Sequence, residues 1–278
     1  MDLSDSPEGK HEGRPAFPRR SAEPGGHGGG GRAFTGNTLL LGLPASSLQA
    51  FEPLVRPIAL SLHQTVISTG DPISFVYFPE TAVFSEVVRL RDGAMAEINL
   101  VGREGMAGLE AYLGAPKASL DVMTLVAGAA LQMPLDALVH LANGDPELRR
   151  SLNLYTQAVH NVRAIAAACD RLHPVHTRLV RWLLRTHDRL DIDDFVLTQD
   201  DIASLLGVAR QTVTANALLL QEAGLISYAH GRLHLLDRPG IERLACECYW
   251  NLNAQWERLP PAEAADHETG QSSLSSRK

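Results

Sequence analysis

The sequence predicts an α+β chain: an N-terminal antiparallel β-roll of jelly-roll type, a long dimerisation helix and a C-terminal winged helix–turn–helix. Three observations predict it. Residues 63–134 hold short alternating runs separated by turn residues, the mark of a small antiparallel barrel or sandwich. Residues 148–169 carry apolar side chains at spacings of 4, 3, 4, 3, 4 and 3, a heptad seam. Residues 197–236 read as helix, glycine turn, second helix and hairpin, which is the plan of a winged helix–turn–helix.

Each element follows in chain order. Residues 1–33 are Gly- and Pro-rich and poor in large apolar side chains, so a disordered tail is expected. His27 within the glycine run 25–31 is a weak metal ligand at best. Residues 34–144 form the roll domain. Its first part, 35–62, reads as short helices, with Pro44-Ala45-Ser46-Ser47 as a helix start and Leu48, Phe51 and Leu54 on one face. Strands are expected at 65–68, 75–78, 82–89, 94–101, 120–126 and 129–133, with Asp92-Gly93 as a hairpin turn. Residues 145–170 form the long helix, opened by Asp145 as cap and Pro146 in the first turn. Its seam is Leu148, Leu152, Tyr155, Val159, Val162, Ala166 and Cys169. About 25 residues without a breaker favour a dimer interface; the competing reading is a core helix packed on its own barrel. Residues 171–256 form the winged domain, and 257–278 a polar, flexible tail.

The winged domain carries the sharpest signal. Thr198 is placed to cap a helix with Asp201 three residues on. Ala203 lets the second helix cross closely, Gly207 ends the first, and Val208 and Val213 face inward. Arg210, Gln211, Thr212, Thr214 and Asn216 remain for the outer or flanking faces. Arg matches guanine O6 and N7, and Gln or Asn matches adenine N6 and N7. The N-terminal end of the second helix is where such motifs meet base edges. Thr198 and Gln199 stand at the entry of the first helix, while His230 and Arg232 sit at a two-stranded wing where phosphate is within reach. Double-stranded DNA is the partner this pattern implies.

Charge bears on that reading. The formal net charge is -7, which excludes a globally basic coat for nucleic acid but not a local footprint. Residues 171–232 hold seven Arg and seven acids. The Arg gather on the helix from about 175 to 189, the acids on the loop 188–194. Such sorting allows phosphate contact, although a solvated helix face is the plainer reading of most of these Arg. Three cysteines make no disulfide framework, and a reducing cytoplasm is expected. No apolar run has membrane length and no signal sequence opens the chain.

The order of barrel, long helix and winged motif over residues 37–250 resembles the CRP/FNR superfamily of bacterial transcription regulators. Val101-Gly102-Arg103-Glu104-Gly105-Met106-Ala107-Gly108 resembles the turn that enters the effector pocket in that family. Ala245-Cys246-Glu247-Cys248-Tyr249 is similar to a C-terminal signature of one branch. The resemblance implies a roll of cyclic-nucleotide-binding type, a homodimer, a palindromic operator and contact with RNA polymerase. It places an effector pocket at Gly105, Gly108, Glu110, Lys117 and Ser119. Cyclic-nucleotide binders of the family carry Glu directly after the pocket Gly and an Arg-Ser pair on the next strand. Here Leu109 follows Gly108, and Ala118-Ser119 replaces the pair. Without an Arg fork a buried phosphate loses its strongest contacts, so a cyclic nucleotide is not expected. In the reading helix Arg210 matches the family's guanine-reading Arg. Gln211 stands where many members have Glu, and Ala215 where some have a second Arg.

An iron–sulfur cluster is not expected, because the first cysteine is Cys169. Haem would need an axial ligand such as His63, His140 or His160, each better read as an ordinary surface or core histidine. Cys246 and Cys248 could form a redox or metal pair, but C-x-C alone is a weak signal; as a pair on a terminal helix they are read as packing residues, and no metal site is assigned. Two other functions compete with this one. A cupin-like enzyme lacks its His cluster, since the strand region holds only His63, and no nucleophile–base pair stands out. A winged module that binds protein rather than DNA is the alternative left open by the neutral charge of 171–232.

Overall fold

The structure, a computed structural model, describes residues 36–190 and 192–259. The expected tail 1–33 with His27, residues 260–278 of the expected C-terminal tail, and Asp191 lie outside the described residues. Two short helices, α1 (Thr38–Leu41) and α2 (Ala45–Phe51), open the chain. The roll is built from β1 (Arg56–Leu60), β2 (Thr65–Ile67), β3 (Phe75–Pro79), β4 (Val83–Arg89), β5 (Met95–Val101), β6 (Asp121–Val126) and β7 (Gly128–Pro134), with α3 (Leu109–Tyr112) between β5 and β6. The strands form two antiparallel sheets, β1-β7-β3 and β2-β6-β4-β5. The predicted strands are all present within a residue or two of their expected ends.

β1 corrects the sequence reading, which made 35–62 helical throughout. Pro57 argues against a central strand, because it cannot donate to a ladder. β1 is an edge strand, paired on one side only to β7 with Pro57 opposite Leu131. An edge tolerates the missing donor.

After α4 (Leu135–Gly144) comes α5 (Pro146–Leu172), a helix of 27 residues and about 40 Å. The Asp145 side chain caps it by accepting from the N–H groups of Glu147 and Leu148 at 3.0 and 3.1 Å. Its seam turns inward. Leu148, Leu152, Tyr155, Val159, Val162, Ala166 and Cys169 are all 6% exposed or less within one chain. Most of them pack with α1, α2, β3, β7 and α4 in one apolar cluster. The seven residues assigned to a dimer interface are therefore core residues, the competing reading of the same pattern. A heptad stripe reports one buried face and does not say what buries it.

The C-terminal domain comprises α6 (Val175–His187), β8 (Asp194–Val196), α7 (Gln199–Leu206), α8 (Arg210–Glu222), β9 (Ile226–Ala229), β10 (Arg232–Leu235), α9 (Arg238–Arg243) and α10 (Glu247–Trp256). Pro174 separates α5 from α6. The wing is a three-stranded sheet, β8-β10-β9, one strand more than the sequence suggested. The domain docks on its own roll. Val83, Val87, Leu100 and Leu125 of the roll share one core with Leu179, Leu183, Ile202 and Val213. Full burial of such a side chain contributes about 1.5–3 kcal/mol, so the docking is a substantial part of the fold.

Candidate nucleic-acid interface

The helix–turn–helix is built from its caps outward. Thr198 accepts from Asp201 N–H at 3.1 Å, and the Asp201 carboxylate accepts from Thr198 N–H at 2.9 Å. That is a reciprocal capping box. Gly207 adopts φ 63° and closes α7, a left-handed position where glycine is at ease. Val213, Ala217 and Leu220 are the buried face of α8. Asn216 is half-buried and donates to Thr212 O at 2.7 Å. This satisfies the amide within the helix and leaves the apolar register of α8 intact.

Arg210 and Gln211 are exposed at the start of α8, with Thr212 and Thr214 half-buried beside them. Arg210 pairs with Asp200 at 2.9 Å, both side chains more than 60% exposed. The Gln199 carbonyl oxygen accepts from Thr214 Oγ1 at 2.6 Å, which ties the two helices together at their reading ends. In the wing, His230 takes φ 52° and Arg232 pairs with Asp194 at 3.1 Å. Every residue predicted to contact DNA therefore lies on the helix–turn–helix or its wing. Arg210 and Arg232 are each held by an exposed carboxylate. Such pairs contribute about 0–1 kcal/mol, so a phosphate or guanine can replace the carboxylate.

The Arg of α6 and its C-terminal flank lie elsewhere. Arg181 and Arg185 of α6, and Arg189 just beyond its end, are buried at 3–4% exposure. Arg178 and Arg181 both reach Asp170, at 3.1 and 2.7 Å. Arg189 meets Glu104 at 2.6 Å, both essentially buried. Neither phosphate contact nor a solvated face describes these residues; they build the joint between the domains. Gly102 is required there, because a Cβ would come within 2.7 Å of the Arg189 side chain. Glu97 on β5 accepts from Trp182 Nε1 at 2.9 Å and from Ser85 at 2.7 Å. Burial raises its carboxyl to about 7, against the pull of those hydrogen bonds and of Arg185 and Arg181. Burial, with Arg189 and Arg181 beside it, lowers Arg185 to about 9.

The expected effector-pocket residues are only partly brought together. Gly108 (φ 92°) precedes α3, and Glu110 accepts from Ser119 N–H at 3.0 Å and from its hydroxyl. Lys117 is exposed. Gly105 is packed against Tyr155 of α5, whose hydroxyl bonds the Met106 N–H and C=O at 3.0 Å each. The cavity beside Gly108 and Glu110 measures about 10 Å³, room for roughly one water. Arg163 of α5 lines it and pairs with Glu86 at 2.6 Å. The turn 101–108 thus serves the domain joint through Glu104 and the core through Met106.

A further group was missed by sequence reasoning. Cys169, His173, Cys246 and Cys248 converge where α5 meets α10. The signal was two short spacings, C-x3-H and C-x-C. The first was absorbed into the α5 seam, and the two lie 73 residues apart (246 minus 173).

Comparison with known proteins agrees with this geometry. Residues 177–244 match the Crp-like helix-turn-helix domain family. The chain is 25% identical over 235 residues to the nitrogen fixation regulation protein FixK of Bradyrhizobium diazoefficiens, covering 80% of this chain and 96% of that protein. It is 29% identical over 178 residues to the transcriptional regulator SdrP of Thermus thermophilus, covering 59% and 82%. The structure of FixK2 from Bradyrhizobium japonicum matches with a TM-score of 0.61 at 18% identity, covering 69% of this chain and 98% of that one. A regulator of the crp/fnr family from Eubacterium rectale matches with a TM-score of 0.59 at 12% identity, covering 73% and 94%. With roll, long helix and winged motif in that order, the chain shares the fold of the CRP/FNR transcription regulators it matches, and its residues 177–244 form a Crp-like helix–turn–helix domain.

Proposed function

We propose that the protein acts by binding and not by catalysis, as a cytoplasmic homodimer that reads a palindromic operator. Arg210 and Gln211 take base edges, Thr198, Gln199, Thr212 and Thr214 position the helix, and His230 and Arg232 hold phosphate. Asn216 supports α8 from within. The observation that carries this reading is the exposed Arg210-Gln211 end of α8, flanked by a wing whose Arg232 is equally accessible. Pairing uses the outer stripe of α5, because the inner seam is occupied. Ala164 and Ala168 are exposed there, and Leu172 is 76% exposed. Small residues let two helices approach closely. Two motifs on a twofold axis would read half-sites about 34 Å apart. RNA polymerase is the partner that a DNA-bound regulator of this class would engage.

The roll takes no cyclic nucleotide in this reading. Arg163 and Glu86 already satisfy one another in a cavity of about 10 Å³, and no Arg fork stands on β6. Selection from random DNA followed by gel shift tests the proposal. An enriched palindrome whose binding falls with Arg210→Ala supports it. No enrichment, with binding indifferent to Arg210 and to salt, favours the protein-binding alternative.

A further inference from the structure

Four side chains that the DNA-reading machinery does not use meet at the hinge between the domains. Cys169 lies in the last turn of α5 and His173 ends that helix. Cys246 is the N-cap of α10, and Cys248 lies in its first turn. One ligand atom from each lies within 4.8 Å of all the others. Cys169 Sγ is 3.3 Å from His173 Nδ1 and 3.8 Å from Cys246 Sγ; Cys248 Sγ is 3.7 Å from the same Nδ1. The geometry points to a four-coordinate Cys3His zinc site that clamps the α5–α6 hinge to α10.

The distances suit a single ion. A tetrahedron with Zn–S bonds of about 2.3 Å separates its sulfurs by about 3.8 Å. An iron–sulfur cluster holds its thiolates farther apart. A disulfide would use two of the four groups and leave a thiol and an imidazole facing it with no task. Soft thiolates with one imidazole in a tetrahedral set select zinc among common divalent ions, and four protein ligands leave no open position.

The surroundings suit the charge. Cys246 is the N-cap of α10, where the free N–H groups of a helix start favour an anionic ligand. If His173 binds through Nδ1, its Nε2 faces Glu247 Oε1, 3.8 Å away. A carboxylate behind a ligating imidazole orients the ring and raises its basicity. Three thiolates on a divalent ion leave one negative charge. The buried Arg181 guanidinium acts on Cys169 from close by, and its Nε and Nη1 have no hydrogen-bond partner. Binding would release the thiol protons, with no change of oxidation state. None of the four ligands lies on α8, so metal binding and operator binding can fail separately.

The test uses the full chain, purified under reductant without chelator. Elemental analysis should find about one zinc per chain. Exchange for Co²⁺ should give the intense visible bands of tetrahedral cobalt with thiolate charge transfer. The double variant Cys246→Ala/Cys248→Ala should lose both signals, and Glu247→Gln should weaken zinc binding about tenfold or more. Reduced, folded wild-type protein that holds no zinc and gives no tetrahedral Co²⁺ spectrum would overturn the site. So would zinc retained in full by the double variant, or a metal-free Cys169–Cys246 disulfide mapped in protein purified in air. Should the double variant fail to fold, the wild-type cobalt spectrum alone decides.

Discussion

Glu97 is expected to make the docking of the DNA-binding domain on the roll sensitive to pH near neutrality. It stands on the roll and accepts a hydrogen bond from Trp182 of α6 at 2.9 Å. Burial raises its carboxyl from 4.5 to about 7. An acid raised in the folded state favours that state fully below its unfolded value, and the advantage is lost as pH rises through the folded value. With 4.5 and about 7 as the two limits, the native state loses about 1.3 kcal/mol between pH 6 and pH 8 through this group. That is roughly a tenfold shift in the unfolding equilibrium. Glu97→Gln keeps the shape and still accepts from Trp182, but does not titrate. Urea unfolding of both proteins at pH 6 and pH 8 is the assay, since the difference cancels the histidines they share. Wild type should lose about 1 kcal/mol more than the variant over that range. Parallel pH profiles would refute the reasoning, and so would a variant that loses more stability with pH than wild type.

Further outcomes follow from other parts of the molecule. Arg210→Ala should weaken operator binding by about 1–3 kcal/mol and relax the preference at one base pair of each half-site, measured by fluorescence anisotropy on permuted sites. Asp200→Asn frees Arg210 from its 2.9 Å partner and should strengthen non-specific binding at low salt, with a steeper salt slope. Ala168→Glu on the outer face of α5 should dissociate the dimer and leave the fold intact, as sedimentation and circular dichroism would show. Leu152→Ala on the inner face should instead destabilise the fold by about 2–5 kcal/mol, seen in denaturant melts. Arg163→Met should take the ion pair from the buried Glu86 carboxylate, which keeps the Asn99 amide, and lower stability by about 1–3 kcal/mol without conferring affinity for cyclic AMP by calorimetry.

The fold was readable where the local signal and the tertiary outcome coincide. The capping box of Thr198 and Asp201, the left-handed Gly207 and the Asp92-Gly93 turn between β4 and β5 are local devices, and each sits where its pattern placed it. Reading failed where a residue's partner lies far off in sequence. Arg189 looked like a surface charge because its counter-ion, Glu104, is 85 residues away. The heptad of α5 was correct as a periodicity, but nothing in a periodicity names the surface that covers it. The strand through Pro57 was missed, because edge and centre of a sheet differ only in topology. The cysteine–histidine group needed two chain segments, far apart in sequence, to be folded together before it existed.

The joint between the domains sets how firmly the winged domain is held on the roll. A purely apolar joint would be hard to open, because separation would expose its whole area to water. Here the apolar patch around Val83, Val87 and Leu100 is ringed by charge. Arg185 is buried with its Nε and one terminal nitrogen unpartnered, and burial, with Arg189 and Arg181 beside it, lowers its pKa to about 9. Each buried polar group left without a partner costs about 1–3 kcal/mol. Water would satisfy those groups on separation and return part of what exposing the apolar patch costs. The docked and undocked states are thereby brought closer in free energy than the buried area alone implies. A perturbation of one or two kcal/mol then suffices to shift their populations. Glu97, Glu104 and the α5–α6 hinge stand at that joint, and none of them lies on α8 or the wing. The joint therefore fixes the angle at which α8 stands against its own roll.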